Sequence, residues 1–123
     1  MILLGLALTA LAAGCGKNSP HNYTLAKTKA CLASKPVRLG GPLDFVASTA
    51  TGGAVKIHTS DNFVTLVFGA TVSDADNIAA AYRRFAATNV GVNDVLQQDQ
   101  NSVQLWHKHP SQDDLALVTG CLR

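Results

Sequence analysis

The chain carries nearly the same phrase twice. NFVTLV at 62–67 and NSVQLW at 101–106 share the pattern N-x-V-[TQ]-L-x. Each phrase follows a polar turn (60–62 and 98–101), and each turn follows an apolar run (55–59 and 92–97). Strand, polar turn, strand is the signature of a β-hairpin. Both hairpins then meet an S-x-x-D box, SDAD at 73–76 and SQDD at 111–114 after Pro110. In each box the serine hydroxyl can cap free helix N–H groups while the acids face the positive end of the helix dipole. The segments before the hairpins also correspond, FVAS at 45–48 against FAAT at 85–88.

Helical spacing fills the remainder. A first helix is expected from a cap at Asn22 or Thr24 to a stop before Pro36, because a residue preceding proline avoids helical backbone. Leu25, Thr28, Cys31 and Leu32 fall on its inner stripe. A short strand at 37–39 runs into the Gly40-Gly41-Pro42 turn. After Ser73, Ala75, Ile78, Tyr82 and Phe85 recur at helical spacing, with a stop expected near Asn89 and Gly91. After Ser111, Leu115, Val118 and Leu122 do the same.

The order α(β)–αββ–αββ–α predicts an α+β domain. It is a two-layer sandwich: a mainly antiparallel four-stranded sheet from two repeated αββ units, with helices on one face. In the register that the repeat suggests, Val64 and Leu66 share a face with Val103 and Leu105 and meet the helices. Strand geometry then sends Phe63, Thr65, Gln104 and Trp106 to the opposite face, with Lys56 and His58 beside them. That face is too apolar to be merely solvated. The segment 40–53 can cover it, leaving Trp106 as ordinary core; otherwise a second copy or a ligand does.

Size and charge restrict the class. The 123 residues make one domain, and 47% hydrophobic with 15% charged residues is a globular composition. A net charge of +2, with no basic arm and no aromatic RNA-binding motif, argues against nucleic acid. The distribution is uneven: residues 15–43 hold Lys17, Lys27, Lys29, Lys35 and Arg38 with no acid, whereas all eight aspartates follow.

Before Cys15 there is no charged residue. Residues 1–14 form an apolar run ending in LAAG, too short for a spanning helix, which needs about 20 apolar residues. It matches a signal-peptide core followed by small residues. Small residues followed at once by Cys15 resemble the lipobox of bacterial lipoproteins. The resemblance covers residues 1–15 and implies cleavage before Cys15, acylation of its thiol and an exported, membrane-anchored protein of the cell envelope. Residues 15–21 would then be a lipidated cysteine and short tether, and 22–123 the domain. The basic collar of Lys17, Lys27, Lys29, Lys35 and Arg38 would face an anionic leaflet, or else form a solvated helix face.

Setting Cys15 aside leaves Cys31 and Cys121, for which export makes a disulfide the default. The alternative is two buried thiols. Neither lies in C-x-x-C or beside histidine, so neither reads as a catalytic thiol.

No catalytic signature is present: no G-x-S-x-G, P-loop, G-x-G-x-x-G or H-E-x-x-H, and no glutamate anywhere. The pairs Asp74/Asp76 and Asp113/Asp114 sit where helix caps belong. No cofactor is implied. The expected function is a non-catalytic binding module, taking an envelope protein, a glycan or its own copy through Trp106, Gln104, Thr65, Phe63, Lys56 and His58. The alternative is a small metal-binding or hydrolytic domain using His58, His107 and His109, since His107 and His109 put two imidazoles on one side of an extended segment.

Overall fold

The computed structural model describes residues 22–86 and 91–123. The signal segment 1–14, Cys15, Lys17, the tether to residue 21 and the expected helix stop at Asn89 lie outside the described residues. Among the described residues no helix is long and apolar enough to cross a membrane.

Helix α1 (Leu25–Leu32) starts at Thr24, whose hydroxyl accepts from Lys27 N, and buries Thr28 and Leu32. A two-residue strand β1 (Arg38–Leu39) follows. Asp44 caps the single turn α2 (Phe45–Ser48) by accepting from Ala47 N at 2.9 Å. The first hairpin is β2 (Ala54–His58) and β3 (Phe63–Phe68).

Helix α3 (Val72–Phe85) begins at Thr71, two residues before the serine box. Thr71 and Asp74 form a competing T-x-x-D box, and Asp74 N donates to the threonine hydroxyl at 3.1 Å. Gly69 makes the early start possible. A Cβ there would sit 2.7 Å from both Ala75 N and Thr71 O, so only glycine lets β3 run so directly into the helix. The second apolar run divides into the turn α4 (Val92–Val95) and strand β4 (Leu96–Asp99). Strand β5 (Ser102–Trp106) and helix α5 (Gln112–Gly120), capped by Ser111 as expected, complete the chain.

The domain is α+β with an antiparallel sheet in the order β1-β2-β3-β5-β4. There are five strands, not four, because 38–39 pairs with the outer edge of β2. The helices lie on both faces, not one. Leu32 of α1 and Val118 of α5 pack with Val55, Ile57, Val64, Leu66, Phe68 and Trp106. Ala47 of α2 and Ala75, Ile78, Ala79 and Tyr82 of α3 pack with Val67, Leu96 and Val103.

The register of β3 on β5 differs by one residue from the expected one. Val64 faces Trp106, Thr65 faces Leu105, Leu66 faces Gln104 and Val67 faces Val103. Residues directly opposite one another share a face, so Trp106 and Gln104 lie with Val64 and Leu66, while Val103 and Leu105 lie with Thr65 and Val67. The turns carry the same one-residue offset from the repeated phrase. Thr59 N donates to Asn62 O to close the first turn, and Asp99 pairs with Ser102 to close the second. Paired positions therefore correspond at a spacing of 40 (59 to 99, 62 to 102), whereas the N-x-V phrase repeats at 39. A one-residue slip exchanges every side chain between faces.

The first and last helices of the described residues meet. Cys31 of α1 is disulfide-bonded to Cys121, with Cα atoms 5.4 Å apart. Thr24 N donates to Arg123 O, and Arg123 N to the Thr28 hydroxyl.

Candidate binding groove

Helices α2 and α3 cover only part of the second sheet face. They pack over Val67, Val103 and Ala54, the half towards the 100–101 turn. The other half, with Phe63, Thr65, Lys56 and Leu105, floors an open cavity of about 500 Å³. Tyr82 and Phe85 of α3 wall one side, and Val92 and Val95 of α4 contribute on another. Asp44 and His107 also line the cavity. The segment 40–53 does cover this face, but only through α2 and its flanks.

Phe63 organises the polar groups. Its ring stacks on His107 with centroids 4.5 Å apart and planes 15° from parallel. His58 lies against it at 5.8 Å, and the Lys56 ammonium is 5.0 Å from its centroid, within cation–π range. His58 Nε2 is 3.0 Å from the Gly40 carbonyl. Gly41, at φ +123°, lies so close that a Cβ would come within 3.5 Å of both Lys56 Cδ and His58 Nε2. The loop after β1 thus fixes this corner from outside.

Across the cavity the Tyr82 hydroxyl donates to both carboxylate oxygens of Asp44, at 3.1 and 3.0 Å. Burial first, then the charge of Asp44 and the hydrogen bond to it, push the tyrosine well above its usual titration range. The phenol stays protonated, so it is a fixed donor. Phe85 is 71% exposed at the end of α3 instead of closing the helix's inner stripe, and it leaves an aromatic ring at the groove wall.

The residues read from the sequence as one binding face divide in two. Thr65, Phe63, Lys56 and His58 do share the groove side. Trp106 and Gln104, each 2% exposed, face the opposite core, where the indole N–H donates to Gln104 Oε1 at 3.0 Å, while Trp106 also borders the cavity. That bond satisfies two polar groups buried away from water. Sequence reading missed Asp44, Tyr82, Leu105 and the α4 residues. Leu105 could have been found only with the correct register.

The three histidines do not converge. His58 and His107 both touch Phe63, but His109 turns to Asp94, with Nδ1 2.9 Å from Oδ1. Among the described residues no three His, Cys or Asp side chains are grouped to hold a metal ion. Asp74 and Asp114 accept from the Thr51 and Thr59 hydroxyls and tie helix starts to loops.

The basic collar spreads over the domain. Lys27, Lys29, Lys35 and Arg38 are all exposed, but Arg38 pairs with His58 at the groove end of the sheet. Tyr23, just before the α1 cap, is held at the other end by Asn101.

Compared with known proteins, the chain matches no protein-family model, no curated protein and no solved structure.

Proposed function

We propose that this is an exported, lipid-anchored envelope protein whose domain is a non-catalytic binding module, with the groove over Phe63, Thr65 and Leu105 as its ligand seat. The observation that carries the reading is the groove itself. An open cavity of about 500 Å³, floored by a sheet and walled by aromatic side chains, has the size and lining of a small-ligand site. The small residues before Cys15 and the disulfide between the other two cysteines support export.

Anchoring and groove fit one geometry. The chain enters the domain beside Asn101, whereas Phe63 and His107 stand at the other end of strands five to six residues long, about 17–20 Å away. A domain tethered at Cys15 would hold its groove away from the bilayer. Lys27 and Lys29, on the helix that starts at the tethered end, are then the collar residues best placed near lipid, and Arg38 is not. A duplicated αββ unit accounts for the layout, with a short helix and hairpin in the same order twice and β3 against β5 at the centre.

Ten-carbon amphiphiles below their micellar concentrations test the seat. Decanoate, decyl glucoside or decyltrimethylammonium should shift the backbone amide signals of Lys56, Thr65, Leu105 and His107 in NMR spectra, and Phe85→Ser should weaken the binding. Absence of any such shift with all three removes the ligand seat. Intact mass of the membrane-extracted protein tests acylation, and an unmodified Cys15 removes the anchor.

A further inference from the structure

Resting on the groove as ligand seat, we infer that its ligand is an anionic amphiphile, a single apolar chain ending in a carboxylate that Lys56 holds. What points to it is the Lys56 ammonium over the Phe63 ring, which among the described residues has no acid paired to it.

The acids there are turned to other partners, although the donors to Asp44 are neutral and leave its charge in place on the Tyr82 side. Asp44 accepts twice from the Tyr82 hydroxyl and once from Ala47 N. Asp61 is 3.6 Å from the Lys108 ammonium, and Asp94 is 2.9 Å from His109. The cations are not matched. Among the described residues, the only close charge contact of Lys56 is the Phe63 ring, and Arg38 has no ion pair. Arg38 lies directly opposite His58 in the sheet and so shares the groove face.

Different head groups meet this corner differently. A cationic head would compete with Lys56 for the Phe63 ring and approach Arg38. A neutral head would leave the ammonium as it is. A carboxylate gains a charge-assisted hydrogen bond from Lys56 while its chain lies over Thr65 and Leu105 towards Phe85. The cavity has ample volume for a body of about ten carbons.

Isothermal titration calorimetry of the whole domain with the three probes at neutral pH decides the matter. Decanoate should bind about tenfold more tightly than decyl glucoside, and decyltrimethylammonium should bind most weakly. High salt should narrow the first gap. Lys56→Met keeps the apolar stem and removes the charge, so it should bring decanoate down to the level of decyl glucoside. Retained decyl glucoside binding shows that this variant is folded. Should it not fold, Arg38→Gln on the exposed edge strand takes its place and should narrow the gap. Equal binding of decanoate and decyl glucoside overturns the inference while leaving the groove as a ligand seat. Tighter binding of the cationic probe, or a gap unchanged in the folded variant, does the same. Failure of all three probes removes both.

Discussion

The Tyr82 hydroxyl donates to both carboxylate oxygens of Asp44, and through that contact the long helix α3 holds the one-turn helix α2 against the sheet. Asp44 is also the cap of α2, so one carboxylate serves both tasks. Tyr82→Phe keeps the ring and removes the donor, and should cost about 1 kcal/mol, the usual worth of one hydrogen bond at a partly exposed site. The folded protein holds the phenol above its ordinary value of 10, whereas the unfolded chain titrates near 10. Stability from this source is complete below pH 10 and is lost as pH rises beyond it, because only the unfolded state then releases the proton. Thermal melts at neutral pH and above pH 10 should show a larger alkaline loss in the wild type than in Tyr82→Phe. Tyr23, raised in the same direction, is common to both proteins and drops out of the difference.

Asn62 and Asn101 each use both ends of a carboxamide to hold a distant stretch of backbone. Asn101, 1% exposed, donates to the Tyr23 and Gly69 carbonyls and accepts from Tyr23 N. Asn62 donates to Lys108 O and accepts from Phe63 N and Lys108 N. Alanine at 101 leaves buried backbone groups without partners, each costing about 1–3 kcal/mol. Asn101→Ala should therefore lose about 2–4 kcal/mol in urea unfolding, and Asn62→Ala less, since its partners reach water more easily. Equal, small losses for the two would show that the clamps are incidental.

Sequence legibility followed local chemistry and failed where packing decided. The caps at Thr24 and Ser111 and the first hairpin were readable because each rests on residue types at fixed spacing, and the Cys31–Cys121 link because only two cysteines remain once Cys15 is set aside. The second sheet face was misread from a phrase that repeats at 39 residues although the hairpins pair at 40. The phrase FVTLVF itself held the missing signal. It has one polar residue in six, and all but Phe63 are buried. A near-continuous apolar run marks a strand covered on both faces, which a one-sided sandwich does not contain. The groove was half legible: Lys56, His58, Phe63 and Thr65 came from period-two spacing, while Tyr82 and Asp44 meet across 38 residues and no local pattern joins them.

The face assignment separates two aromatic residues that composition treats alike. Trp106 is 2% exposed in the core with α1 and α5 and only borders the cavity, and Phe85 is largely solvent-exposed. Trp106→Ala should cost about 3–5 kcal/mol, the range for removing a buried large aromatic side chain, and it also strands Gln104. Phe85→Ala should change stability by less than about 1 kcal/mol. The single tryptophan should resist quenching by iodide in the folded state. Efficient quenching there would place Trp106 on the surface and overturn the register.

The disulfide closes a sequence separation of 90 residues, for which the chain-entropy treatment gives at most about 4–5 kcal/mol. It does not act alone. The same two ends share backbone and hydroxyl hydrogen bonds through Thr24, Thr28 and Arg123, and Leu32, Val118 and Leu122 pack around the bridge. A Cys31→Ala, Cys121→Ala variant should therefore remain folded at moderate temperature, with unchanged circular dichroism, while losing about 2–4 kcal/mol. Because the bridge chiefly restrains the unfolded chain, its removal should also let that chain expand, and the urea m-value should rise. A fall in stability with an unchanged m-value would instead place the effect in the folded state, in the packing lost around Cys121. Urea unfolding of both proteins, followed by tryptophan fluorescence, separates the two accounts.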